Sequence, residues 1–337
     1  MITQFKTSRI NIIFDQYFTP SIKDCERTRR DESVSPVSIG PNQIRLQNFT
    51  AQPKNIQFKE PLVNFFINHW STDDMAPLIG NKTIYLSLNE CYCYRVEDNK
   101  VIMTKDDLLS CEEHEEADSR IIYHICQINF EADVVIRCSD ILLILPGNMD
   151  HLSASLKLWI TMGVVNHQRY VNINHMYNIL GNTISKALPG FHAMTGCNYI
   201  PAFFRKGKLK PFKLLIKSVY YQLAFQNLAT DDEEILKDAF VTLEKFVCHM
   251  YGIRNNSNVN DVRFHLFSTT YQSKNFNDNF EKKFKNFDPS SLPPCKVELQ
   301  QHLLRVRYVT VLEKCLLKIP HVVITTSLRL DNERQQI

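Results

Sequence analysis

Four features of the sequence carry side chains that could do chemistry. The densest is Cys111-Glu-Glu-His-Glu-Glu-Ala-Asp-Ser-Arg120. Four Glu and one Asp crowd what reads as the start of a helix. Acids at that positive end are locally favoured. So many together nevertheless repel one another unless a cation answers them. Two readings follow. One is a helix terminus that draws in acids. The other is a site for a hard divalent ion, Mg²⁺ or Mn²⁺, which wants carboxylate oxygen. Glu115 and Asp118 share a helix face, and Glu116 stands one turn before Arg120. His114 does not complete the H-E-x-x-H spacing of zinc peptidases, so zinc is not expected.

The second feature is Asp15, which ends the apolar run INIIF. In an open α/β sheet, ligands bind at the carboxyl ends of the strands. A turn or helix-capping role is the alternative for this Asp. The third is Ser139-Asp140, at the end of the ADVVIRC strand. The fourth is Leu188 to Asn198, closing in the tight turn Thr195-Gly196-Cys197-Asn198. Directly behind it stand Arg205, Lys206, Lys208, Lys210, Lys213 and Lys217. Such a run is either a solvated face or a surface for phosphate. Metal carboxylates flanked by bases are what phosphodiester cleavage needs: ions orient water and stabilise the attacking and leaving oxygens, and the bases hold the backbone.

These residues need elements to position them. Residues 10–14 read as a buried strand. Residues 31–58, rich in Ser, Pro, Gln and Asn, read as a long loop, and the bases Lys23, Arg27, Arg29 and Arg30 precede it. Leu62, Phe65, Phe66 and His69 mark a short helical face. Residues 84–88, 91–94 and 100–103 alternate as strands. A helix is expected over 112–129, with Ile121, Ile122, Ile125 and Ile128 as its apolar face. A strand follows at 132–138. Helix is expected at 150–163, strand at 169–173 and helix at 175–187. This alternation predicts an α/β core with a mainly parallel sheet. After residue 211 the pattern turns helical. Thr230 and Glu233 are placed as a capping box, and the 3.6-residue period runs to Gly252. A polar linker is expected at about 268–292 and a last helix at 297–316, with His302, Arg305 and Arg307 exposed. No internal repeat is visible.

Composition bounds the rest. The chain has 337 residues, 44% hydrophobic and 22% charged, so it has material for a sizeable core. Lys plus Arg number 39 against 36 Asp plus Glu, a balance that neither requires nor excludes nucleic acid. Ten scattered Cys in a chain of this size point to free thiols in a reducing compartment. The first residues lack a signal-peptide pattern, and the longest aliphatic run, Ile141 to Leu145, is far too short to span a bilayer. An intracellular protein of nucleus or cytoplasm, without membrane partners, is expected.

The motifs IIFDQY followed by SIKDCERTRR, then LSCEEHEEADSR, VVIRCSD, LPGFHAMTGCN and FFRKGKLKPFK together resemble a widespread family of invertebrate proteins, common in cnidarians and arthropods. Its members look like distant relatives of the PIN-like flap endonucleases and Asteroid-type proteins. The resemblance covers most of the chain and is strongest from about 105 to 215. It implies a PIN-like α/β domain over 1–215 and a mainly helical extension over 216–337. It also implies hydrolysis of a phosphodiester in DNA or RNA with two divalent ions, normally Mg²⁺. On that pattern Asp15, Glu116, Asp118 and Asp140 would be catalytic. They would hold the ions with Glu115 and Asn198. Lys23, Arg27, Arg30, Arg205, Lys206, Lys208, Lys210 and Lys213 would contact nucleic acid.

The chain departs from that pattern at three places. The family turn reads like SDTD, whereas here Ser139-Asp140 runs straight into Ile141, so one acid is gone. TGCD has become TGCN at Asn198, which offers a carbonyl oxygen but no charge. The superfamily's leading strand, with its own Asp, lies upstream of Asp15. Only nine residues precede Ile10, so that strand is expected to be absent from a truncated N-terminus. Lost charge weakens metal affinity, and lost geometry spoils positioning. The expectation is a degenerate, weak or inactive relative that binds nucleic acid. The alternatives are an active Mg²⁺-dependent endonuclease and a non-catalytic interaction scaffold.

Overall fold

The computed structural model describes residues 5–16, 39–40, 56–111, 114–138, 140–163, 167–271 and 288–314. The bases Lys23, Arg27, Arg29 and Arg30, and most of the expected loop and linker, lie outside these residues.

Strand β1 (Arg9–Ile13) is followed by helix α1 (Ile56–Trp70) and the short α2 (Ala76–Ile79). Strands β2 (Thr83–Ser87), β3 (Cys91–Glu97) and β4 (Lys100–Lys105) complete one sheet, ordered β1-β2-β3-β4. Helix α3 (Ala117–Cys126) leads to β5 (Ala132–Ile136). A second sheet pairs β5 with β6 (Leu156–Met162) and β6 with β7 (Arg169–Asn172). Helices α4 (Ile173–Met194), α5 (Leu209–Ile216), α6 (Val219–Asn227), α7 (Glu233–Met250), α8 (Val259–Tyr271) and α9 (Lys296–Glu313) follow.

The protein is mixed α/β with a helical C-terminal part, but the expected mainly parallel sheet is replaced by two mixed ones. Only β1–β2 and β5–β6 run parallel; β2–β3, β3–β4 and β6–β7 are antiparallel. Connection length decides this. Parallel strands need a long crossover, whereas a short loop returns the chain antiparallel. Between β3 and β4 stand only Asp98 and Asn99, both at positive φ (50° and 60°), the conformation of a tight hairpin turn.

Four further expectations change. Residues 150–163 form no α-helix: a 3-10 turn ends at His151 and β6 occupies 156–162. Leu156, Leu158 and Ile160 are buried on alternate positions, a period of two that the sequence already contained. The helix expected from 112 begins at Ala117, so Glu115 and Glu116 precede it. At α7 the cap is Asp232, whose carboxylate accepts the Glu234 and Ile235 amides at 2.9 and 3.1 Å, rather than Thr230. His302, expected to be exposed on α9, is half-buried against α4 and pairs with the Met194 carbonyl at 3.2 Å.

Three apolar clusters form the core. One lies under the first sheet with α1, around Ile10, Val63, Trp70, Ile84 and Tyr94. A second joins α3 to the second sheet through Ile122, Ile125, Leu158 and Ile160. The largest runs from Ala187 to Val309 and crosses the expected break at 215. Gly190 makes one close approach within it possible. A Cβ there would stand 2.8 Å from the Phe225 carbonyl oxygen, so only glycine lets α4 and α6 touch at this point.

Candidate acidic site

Arg120 ties the two ends of the site together. Its side chain is fully buried, and burial holds its pKa below the usual guanidinium range while leaving it charged. Nη1 donates to the Phe14 carbonyl at 2.7 Å, just after β1. Nη2 donates to Ser87 Oγ at 2.5 Å, at the end of β2. One buried cation thus brings the carboxyl end of β1 to the amino end of α3. Asp15 follows from that. Its Oδ1 accepts the Ala117 amide at 2.9 Å, so it caps α3 from another element. Its Oδ2 pairs with Lys59 Nζ at 2.6 Å, from α1.

Glu116, Asp118, Asp140 and Asn198 line a single cavity of about 240 Å³. Glu116 and Asp118 come from the start of α3. Asp140 comes from the turn after β5, and Asn198 from the turn after α4. Asp15 is not a wall of the cavity, but its charge is felt at Asp118. Glu115 is buried and is also not a wall; its carbonyl accepts the Gln16 amide at 2.8 Å. Acids from two separate segments, the start of α3 and the turn after β5, therefore meet in one cavity, joined there by the amide of Asn198.

The acids along the wall are answered from within the protein. Asn198 Nδ2 donates to Glu116 Oε2 at 3.4 Å. The Cys138 thiol donates to Asp118 Oδ1 at 3.1 Å. Burial raises the Asp118 carboxyl to about 6; the Cys138 bond opposes this, and Glu116, Asp140 and Asp15 add to it. Burial first, then the nearby Glu313 carboxylate, pushes the Cys197 thiol up to about 11, so this wall residue is no nucleophile near neutral pH.

Lys208 is the one member of the basic run among the cavity walls, and it is not free for phosphate. Its Nζ donates to the His192 carbonyl at 3.1 Å, Thr195 Oγ1 at 2.9 Å and the Gly196 carbonyl at 2.6 Å. An ammonium has three protons, and all are used in holding the turn after α4. Gly196 sits in that turn at φ 106°, a conformation side chains avoid. Lys206 and Lys210 instead line a second hollow of about 290 Å³ with His249 and Tyr251. Lys206 Nζ lies 4.1 Å from the Tyr251 ring centre, a cation–π contact. Arg205 stacks on Phe204 at 4.9 Å, and Arg205, Lys210, Lys213 and Lys217 are exposed.

Sequence reasoning missed three participants. Lys59 fell next to the expected loop. His192 lies inside LPGFHAMTGCN but was passed over for the turn behind it. Glu313, from the end of α9, also lines the cavity and pairs with His192 at 3.0 Å. For Lys59 and Glu313 no local signal exists, because their partners lie 44 and 121 residues away.

The walls carry the carboxylates of Glu116, Asp118, Asp140 and Glu313 and the side-chain amide of Asn198, oxygen donors of the type that suits a hard cation. Among the described residues, however, no three His, Cys, Asp or Glu side chains are grouped so as to hold one ion. The donors fit Mg²⁺ in the mode that keeps several of its waters and takes only one or two carboxylates. Among the described residues no helix is long and apolar enough to cross a membrane. Comparison of the chain with protein-family models, curated proteins and solved structures finds no match.

Proposed function

We propose that the chain is a degenerate relative of PIN-like, metal-dependent nucleases, keeping an acidic cavity for Mg²⁺ or Mn²⁺ while its phosphodiester hydrolysis is weak or lost. The observation that supports this is the convergence of Glu116, Asp118 and Asp140 on one cavity, with Asp15 close behind. Acids gathered in one place repel one another, and a cation bound there would offset that repulsion. A bound ion of this kind supplies charge stabilisation to the attacking and leaving oxygens of a phosphodiester.

Slow or absent turnover follows from how the acids are held. Asp15 is engaged by Lys59 and by the amide of Ala117. Glu116 faces the amide of Asn198, where the pattern it resembles has an acid. Rate depends on reacting groups already standing in place, and here those groups are committed to internal partners. DNA or RNA is the proposed partner, approached by the exposed Arg205, Lys210 and Lys213 with Lys206 beside them.

The test combines binding and cleavage. The full chain is titrated with Mn²⁺ by calorimetry. It is then incubated with labelled single-stranded, flap and duplex substrates in Mg²⁺ and in Mn²⁺. The expected result is ion binding that Glu116→Gln/Asp118→Asn removes, with cleavage far below the roughly 1 s⁻¹ floor of ordinary enzymes. Cleavage above that rate, abolished by the same double variant, would establish an active endonuclease instead. Absence of ion binding would overturn the proposal.

A further inference from the structure

The end of α9 carries an acid in an unfavourable place. Glu313 is the last residue of that helix, at the negative end of its dipole, and no basic residue stands in the last turn. Its side chain is 8% exposed. The position is set from two sides. Asn148 Nδ2 donates to its main-chain carbonyl at 2.9 Å, and His192 Nδ1 holds Oε1 at 3.0 Å. The other oxygen, Oε2, is buried with no hydrogen-bond partner. A buried carboxylate oxygen left without a donor is costly, so native proteins rarely keep one.

The neighbouring cations do not remove this cost. Lys208 acts on Glu313 through its charge, but its three protons are directed at His192, Thr195 and Gly196. His192 is already spent on Oε1. Glu116 adds a second negative charge nearby. Asn198 lines the same cavity and supplies only an amide, where the pattern that the chain resembles has an acid.

Resting on the cation-site reading above, we infer that Glu313 is a cation ligand of this cavity, supplied by the last helix in place of the charge missing at Asn198. The ligand is a hydrated divalent ion of the Mg²⁺ class. It is held by Glu313 and one of Glu116 or Asp118, and by its own waters otherwise. That mode suits walls on which, among the described residues, no three acids are grouped around one point. His192 is the positioning residue that turns Oε2 toward the ion, as carboxylate and imidazole pairs do around metals.

Mn²⁺ binding to the full chain, read by the paramagnetic resonance of free Mn²⁺, tests this. Five proteins are compared: wild type, Glu313→Gln, Glu313→Asp, Glu313→Gln/Asn198→Asp and Glu116→Gln/Asp118→Asn, with the exposed Glu234→Gln as control. Glu313→Gln should weaken binding by about 10- to 100-fold. Asn198→Asp in that background should recover most of the loss, because it returns a charge to the same cavity. The control should match wild type. Circular dichroism reports folding. If Glu313→Gln does not fold, Glu313→Asp carries the test, since it keeps the charge but withdraws it by one methylene. Affinity within twofold of wild type in the folded Glu313 variants, with binding still lost in Glu116→Gln/Asp118→Asn, overturns the role of Glu313 and leaves the cavity reading standing. No Mn²⁺ binding by wild type overturns both.

Discussion

Asp118→Asn should make this protein more stable. Asp118 is half-buried near Glu116, Asp140 and Asp15, and its carboxyl is raised from 3.8 to about 6. Burial is the leading cause; the thiol of Cys138 works against it. A raised carboxyl pKa means the folded protein holds the proton more tightly than the unfolded chain. The contribution of this group is therefore fully present below pH 3.8 and is lost as pH rises through about 6. At neutral pH the ionised side chain costs roughly 2–3 kcal/mol, at 1.36 kcal/mol for each pKa unit. Asparagine keeps the shape and never ionises. Urea denaturation with a chelator present should then show a gain of about 2 kcal/mol at pH 7. The gain should shrink toward zero near pH 4, with the slope of the transition unchanged. A neutral or destabilising effect at pH 7, or a gain independent of pH, would refute the electrostatic account of the cavity.

Two further substitutions probe what positions the site. Lys208→Met removes the three bonds that hold the turn after α4, and should cost about 2 kcal/mol in denaturation, partly offset because burying the ammonium is itself unfavourable. The exposed Lys213→Met should stay within about 0.5 kcal/mol of wild type. Gly190→Ala should cost about 1–3 kcal/mol by forcing a methyl group against the Phe225 carbonyl, read as a lower urea midpoint.

The two sheets show how far pattern reading reaches. Residues 84–88 and 91–94 read as strands because alternation is local, and β2 and β3 form there. The partner and direction of each strand were not readable in the same way. The pairing of β1 with β2 joins residues more than 70 positions apart, and no local period encodes that. At 150–163 the mistake was a choice of period: Leu156, Leu158 and Ile160 alternate, but the flanking residues blur the pattern. The capping of α3 failed differently. Its acids were visible, yet the residue that accepts the Ala117 amide is Asp15, 102 residues away.

By itself the sequence determined which residues could do chemistry: an acidic knot at 112–118, single acids after two strands, and a basic run behind a tight turn. Residue type and local spacing are enough for that, because they are properties of neighbouring positions. The tertiary structure decided which of those groups meet and which are already spent. It drew Glu116, Asp118 and Asp140 into one cavity, turned Lys208 inward, and brought Lys59 and Glu313 to acids and bases far along the chain. A charge acts through space and burial, not through sequence distance, so the partners of these side chains exist only once the helices and sheets have packed.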